Sequence, residues 1–519
     1  MMEQEQFPTN TPLPAPQPQN PWQPQPVVRK FLPAGKWELI FGAALLVISL
    51  LMINSIFFAG FHLGFAIAAL LSILCSCGYL LISGCKLTPY SAALLAISLV
   101  ICASFPRTDD RFTKFVMVCF LFFSTNISLS IIAGKNRFSP GSIRSLSDAF
   151  AAFFGLGFGQ LPDSCRGLSR TLRSSGSAAQ KSTSILLGLG IAVPILLILV
   201  PLLVQADAAF EGLLTYLPDF SIGEIIFTAI FGFCFAYLLY TRNTALKHAE
   251  VTVRPKRIHK GLSPLTVNTV LVTVCLVYLA YLISQLAYFT GGFAGILPED
   301  YTLAQYARRG FFEMAWLCAI NLSVMVLSLS VCAKEQAAPS FTRWLCLFIG
   351  VVTLFLVATA SAKMLLYIDS YGLTRLRVLT QVVMVFLGLV TIFVCIWLFV
   401  PKMPYMKAVL LTALVMGAVV SWVDVDTFVA RHNVTTYLEG KAETVDVHYL
   451  NALGNGAVPY LDQLTREAPD ESVREDARFV LENRWIYESE DFRSWNYVNQ
   501  KTEKLLAPYQ EAREDTPLY

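Results

Sequence analysis

Eleven apolar runs, each near the length needed to cross a bilayer, limit this chain to one class of fold. They are Leu39–Phe58, Leu63–Ser83, Pro89–Phe105, Phe112–Ala133, Thr183–Gln205, Ile222–Thr241, Leu265–Phe289, Tyr306–Val331, Phe341–Ala362, Leu376–Val400 and Tyr405–Val423. A hydrocarbon core about 30 Å thick takes about 20 apolar helical residues at about 1.5 Å of rise each. Backbone polar groups inside it must bond within their own segment, so each run is expected to be a helix. Only 14% of the residues are charged and the mean hydropathy is +0.57; a soluble domain carries about 25% charge. A soluble enzyme on a single anchor is excluded. The expected fold is all-α, a polytopic helical membrane protein with a small C-terminal α-helical soluble domain.

The net charge of +3 hides a division. From Asp424 onward 19 acidic residues face 10 basic ones, whereas the preceding part has 29 basic and 17 acidic. Three parts follow: a Pro/Gln-rich tail over 1–36, a transmembrane domain over 37–423 and an acidic helical domain over 424–519. Residues 1–26 hold eight prolines and six glutamines. Such a stretch cannot bury a core and is expected to be disordered or partly polyproline II. It is too long and polar ahead of the first apolar run for an ordinary cleaved signal peptide. In the acidic part, Leu450, Leu453, Val458, Leu461 and Leu464 recur near helical spacing. Asp470 is placed to cap a helix bearing Val473, Ala477, Val480 and Leu481, and Asp491 a third that ends before Pro508. One such unit cannot bury its apolar face alone, so it is expected to pack on the membrane domain or a partner.

Lys and Arg are unevenly divided between the two sets of connections, 21 against eight. That bias predicts a cytoplasmic N-terminus and, with an odd number of spans, an extracytoplasmic acidic domain. The long basic connection over 134–182 is unusual. Its first half is apolar and aromatic but broken by glycine, and Arg166, Arg170 and Arg173 follow on one helical face. They are candidates for contact with anionic lipid through an interfacial helix. The alternative is a short re-entrant segment, which is tolerated only when buried in protein.

Candidate ligand-binding charges gather near the predicted outer ends of spans. Arg308, Arg309 and Glu313 precede the eighth, with Arg309 and Glu313 at i,i+4 spacing. Lys363 and Asp369 fall in the expected loop after the ninth, and Arg375 and Arg377 precede the tenth. Interleaved cations and acids suit an anionic headgroup, sugar phosphate or carboxylate. The plainer reading is ordinary flanking charge, with snorkelling side chains and interfacial Tyr367 and Tyr371. Asn126, Asn321, Gln285 and Gln381 are expected to bond between helices. The five histidines are scattered, and Cys75-Ser76-Cys77 is too short and too deep for a convincing metal site. No metal, no cofactor and no nucleic-acid partner is expected, and no phosphate-cradling or nucleophile motif is present.

Five stretches carry a resemblance to a known family. They are Tyr306–Glu313, Tyr371–Arg377, Asp426–Asn433, Val445–Leu450 ahead of Ala457-Val458-Pro459, and Asp491–Asn496. Together they resemble a bacterial multi-pass membrane protein family of unknown function, of the DUF4153 / DUF4173 type. The resemblance implies a helical membrane domain plus an extracytoplasmic helical tail, and no reaction. The reading that combines these observations is a non-enzymatic membrane protein that binds an anionic ligand or an envelope protein at its outer face. The alternatives are a transporter of a small anionic solute, and a membrane-embedded transferase acting on a lipid-linked substrate with Glu313 or Asp369 as base.

Overall fold

The structure, a computed structural model, describes residues 34–136, 144–174, 222–248, 262–293, 311–331, 340–484 and 491–514, with isolated positions beside them. Ten of the eleven expected spans lie in these residues, the eighth from Phe311 on, each a helix long and apolar enough to cross a membrane. The chain is an all-α, multi-pass membrane protein. The expected span Thr183–Gln205, but for isolated positions, and the Pro/Gln-rich start fall outside the described residues.

Helices α1 (Lys36–Asn54, prolonged by a π-helical turn to Ala59), α2 (Leu63–Ile82), α3 (Pro89–Ser104) and α4 (Arg111–Ile132) open the chain. Their starts are written locally. Thr88 accepts from the Ser91 amide ahead of Pro89, and Asp110 accepts from the Thr113 amide at 2.8 Å. With α7 (Ile222–His248) they pack around Phe41, Leu45, Phe65, Leu80 and Phe105. A second group, α8 (Pro264–Phe293), α9 (Phe311–Val331), α10 (Ser340–Tyr371) and α11 (Arg375–Phe399), packs around Met325, Ile349, Leu356 and Met384. Helix α12 (Tyr405–Val423) lies against α3, α4 and α11 and joins the groups.

Between α4 and α7 lie α5 (Ser145–Phe150), a π-helical turn through Leu156, and α6 (Leu161–Ser174). One side of this apolar stretch packs against α4, while Phe150, Phe154 and Phe158 keep about half of their surface exposed. Phe150, Phe153 and Phe154 meet Phe122 at 5.2–6.1 Å between ring centroids. Phe122 is about 15 Å along α4 from its end. Polar α6 follows, with Arg166 exposed and bonded to Asp163 at 2.7 Å, and with Arg170 exposed. The side chain of Arg173 lies outside the described residues.

Two expected helix ends are corrected. Helix α10 does not stop at Ala362. Met364, Leu365, Leu366 and Ile368 continue its apolar pattern to Tyr371, so Lys363 and Asp369 lie on a helix and not in a loop. Helix α7 runs through Arg242 to His248. In both cases a few charges near an end cost less than leaving backbone groups unbonded at membrane depth.

The acidic part folds as α13 (Val425–Leu438), α14 (Val447–Ala452), α15 (Val458–Glu467), α16 (Glu471–Glu482) and α17 (Tyr497–Glu514). Its core of Val429, Leu450, Leu461, Leu464, Leu481 and Leu506 continues into Leu373, Val378, Leu379 and Val420 of the span ends. The tail therefore buries its apolar faces on the membrane domain. Its caps differ from those expected. Asp470 precedes α16 without accepting a cap bond. Asp491 caps only the 3₁₀ turn Phe492–Ser494, and Asn496 caps α17, accepting from the Val498 and Asn499 amides. Helix α17 also passes through Pro508. Pro508 is exposed, so the bond it omits faces water, and Tyr509 beyond it is anchored to Asp462 at 2.8 Å.

One close approach holds the 3₁₀ turn Phe492–Ser494 of the tail to α2. The Leu63 amide donates to the Trp495 carbonyl at 3.3 Å, and a Cβ on Gly64 would lie 3.0 Å from the Arg493 Cα. Gly64→Val is expected to push this turn away, at about 1–3 kcal/mol, and to open the tail to protease. Gly78→Val on the same helix meets nothing within 4 Å. Limited proteolysis of the two variants is expected to show early tail cleavage only for Gly64→Val.

Candidate binding site between the span ends and the tail

Three connections meet where the tail rests on the spans: Thr108–Asp110 before α4, Gly372–Thr374 before α11, and Asp424 between α12 and α13. The Thr374 side chain starts α11 by accepting from the Arg377 amide at 3.3 Å. That start fixes the neighbouring Arg375. Its Nε donates to Asp426 Oδ1 at 2.6 Å and its Nη2 to Asp426 Oδ2, a two-pronged bond, while Nη1 lies 2.9 Å from Asp110 Oδ1. The Arg375 amide donates to the Tyr449 hydroxyl at 2.9 Å. Only guanidinium can bridge two carboxylates in this way, because its fork matches one of them bidentately and still leaves a donor for the other.

Asp424 is the one non-glycine residue with positive φ among the described residues, at 51°. Its short polar side chain makes this left-handed conformation tolerable. Asp424 accepts from Thr427 Oγ1 at 2.6 Å and Thr108 Oγ1 at 3.3 Å, and this kink turns α12 into α13. Strain of this kind persists only where its surroundings over-determine it. Burial raises the Asp424 carboxyl. Burial also pushes Asp426 up to about 6; Arg375 pulls it down, while Asp110 and Asp424 add to the rise. Beside this network is a cavity of about 450 Å³ lined by Asp109, Asp110, Arg111, Arg375, Asp424 and Asp426.

Of the charges expected to converge, Arg375 enters this site. Arg377 instead donates to the Tyr371 and Gly372 carbonyls and lies 4.0 Å from the Tyr367 ring centroid, closing the α10–α11 turn. Glu313 and Asp369 are exposed on α9 and α10, and Lys363 is half-buried on α10. Arg308 and Arg309 lie outside the described residues. The partners that make the site, Asp110, Asp424 and Asp426, carry no signal in the sequence that marks them as ligand-binding charges.

Four of the five stretches behind the family resemblance meet at this junction. Arg375 bonds Asp426 and Tyr449, Asn433 exchanges two bonds of 2.8 Å with Leu373, and Asn496 donates to the Thr108 carbonyl at 2.8 Å. A family model described as a domain of unknown function, DUF4153, matches residues 90–464. The chain belongs to the DUF4153 family. Asp110, Arg375, Asp424 and Asp426 all fall inside the matched residues. No curated protein and no solved structure matches the chain.

In this DUF4153 protein a second polar contact secures the tail. His62 Nδ1 lies 3.1 Å from Lys114 Nζ and 3.2 Å from Asn496 Nδ2. Lysine has no acceptor, so Nδ1 must accept and the ring proton sits on Nε2. Burial, with Lys114 adding, holds His62 down at about 4. Asp109 at 3.7 Å from Lys114 and Arg111 are the other charges nearby. A depressed histidine stabilises the fold fully above its ordinary value of about 6.5, and that stability is lost as pH falls through about 4. Asp426, raised, acts oppositely over an overlapping range. The difference between wild type and His62→Gln isolates the histidine: the wild type is expected to lose more stability between pH 6.5 and 4, followed as tail proteolysis at each pH.

Asn126, Asn321 and Gln381 bond between helices as expected, and the side chain of Gln285 lies outside the described residues. Asn321 joins Tyr278 and Thr353, and Gln381 donates to the Ser361 carbonyl. Arg242 is the exception. It follows the expected span Ile222–Thr241, yet it is 4% exposed within α7. It donates to Asn126 Oδ1 and Ser76 Oγ, both at 3.2 Å, and to Asn243 Oδ1 at 3.4 Å. Ser76, Asn126 and Arg242 each stand six residues before the end of their helices, so they share one depth. Arg242 pairs with no carboxylate among the described residues.

Proposed function

We propose that this DUF4153 protein is a non-enzymatic binding protein of a bacterial cytoplasmic membrane, sensing or scaffolding through the cavity under its tail. The observation that carries the reading is the joining of three distant connections by Arg375, Asp110 and Asp426 beside a strained Asp424 and a cavity of about 450 Å³. A ligand that competes for these groups would change how the tail sits. The Lys and Arg bias supports an N-terminus in the cytoplasm and a tail outside. The ends of the described helices agree with eleven spans. Helix α7 runs antiparallel to α1, with Lys247 on Glu38 at 2.6 Å and Asn54 on Glu224 at 2.9 Å, so α4 ends opposite the tail and α7 begins beside it.

Native mass spectrometry of the full chain extracted gently from its membrane tests the binding reading. Wild type is expected to retain a small molecule that Arg375→Lys releases. A bare mass for wild type overturns it. Paired reporters fused after Lys256 and after Tyr519 are expected to read inside and outside; a tail that reads inside overturns the placement.

A further inference from the structure

The polar cavity does not stand alone. A second cavity of about 520 Å³ adjoins it, sharing Phe112. It is apolar and lies between the helix groups, walled by α4 (Phe112, Val116, Phe120), α11 (Leu376, Val383) and α12 (Gly417) among others. From Phe112 to Phe120 it reaches about 12 Å along α4. Its upper end lies at the first turns of α4 and α11, where Arg111 and Arg375 mark the end of the apolar runs. The polar cavity beside it carries two charges of opposite sign that enter no ion pair among the described residues. Arg111 forms no ion pair among the described residues. Asp424 is bonded by two hydroxyls and by no cation among them. Arg375, by contrast, is already matched by Asp110 and Asp426.

An apolar trough that meets, at Phe112, a pocket with one cation and one anion outside any ion pair among the described residues is complementary to a lipid whose headgroup carries both signs. We infer that the two cavities together bind a phospholipid with a primary-amine headgroup, the phosphate on Arg111, the ammonium on Asp424 and one acyl chain along Val116, Phe120 and Val383. An ammonium has three donors and fits between carboxylates, whereas a bulky quaternary amine has none. The inference rests on the binding reading above and names its ligand. A water-soluble anion fits less well, because four carboxylates line the pocket and the more buried arginine is taken.

The test uses delipidated full-length protein in detergent, titrated by native mass spectrometry with ethanolamine, glycerol and choline phospholipids of identical acyl chains, and with soluble phosphoethanolamine. Asp424→Asn keeps the left-handed backbone, which asparagine also adopts, and removes the charge. Val383 is half-exposed, so Val383→Trp fills the trough without crowding the core. The ethanolamine lipid is expected to bind about tenfold more tightly than the other two, the scale of one charge-assisted contact. Asp424→Asn is expected to erase that preference, Arg111→Gln to weaken all three lipids, and Val383→Trp to weaken all three without changing their order. Equal binding of all lipids, unmoved by Asp424→Asn and Arg111→Gln, overturns the inference and leaves only annular lipid. Soluble phosphoethanolamine binding as tightly as its lipid also overturns it but leaves the polar cavity as a ligand site. Failure of every lipid and of phosphoethanolamine, with a bare wild-type mass from native membranes, removes the binding reading as well.

Discussion

Arg375→Met is expected to destabilise the protein by about 3 kcal/mol and to release the tail. Removing one partner from a buried ion pair typically costs about 3–5 kcal/mol, because the charge left behind is neither solvated nor matched. Here two are left behind: the Asp110 and Asp426 side chains are 9% and 6% exposed. The lower end of the range applies because the Arg375 side chain is itself 32% exposed, so water reaches part of the network. Arg375→Lys keeps a charge but not the two-pronged geometry, and is expected to recover part of the loss. Arg375→Met combined with Asp426→Asn is expected to recover part as well, since the stranded charge is then halved, and the non-additivity measures the pair. Unfolding by SDS in mixed micelles, read beside tail proteolysis, checks both. A midpoint for Arg375→Met equal to wild type would mean that the network only decorates a tail held by its apolar core.

The contrast between what the sequence shows and what it hides has a physical cause. Apolar runs announce spans because the bilayer sets their length and forces the backbone to bond within each. Their ends are read less well. Arg242, Lys363 and Asp369 look like loop residues, yet continuing the helix satisfies backbone bonds that a loop would leave open. The site is hidden more deeply. Arg375 stands out as a cation beside a span, but Asp426 is 51 residues away and Asp110 lies on another helix group. No spacing rule connects them, since their contact depends on how the tail packs. The resemblance to the DUF4153 family marked Arg375, Asp426, Tyr449 and Asn496 without assigning them roles. Only their meeting at one junction gives them a common meaning.

Arg242→Met is expected to have the opposite sign to Arg375→Met. Arg242 is the more buried of the two arginines, but its oxygen partners are neutral: Asn126, Ser76 and Asn243. Its Nε finds no partner at all among the described residues. Desolvating such a charge is expensive and the neutral acceptors return little, so a methionine of similar volume is expected to leave stability unchanged or raise it by up to about 4 kcal/mol. Some of that gain is offset because Asn126 Oδ1 loses its donor. The same SDS titration reads the result. A loss as large as that of Arg375→Met would require a counter-charge for Arg242 outside the described residues. A gain would mean that the chain keeps a guanidinium at membrane depth against its own stability, which is the usual mark of a charge retained for function. Phe153 lies over this guanidinium, 5.9 Å from ring centroid to Cζ, so the apolar stretch between α4 and α6 adjoins the charge that such a function would use.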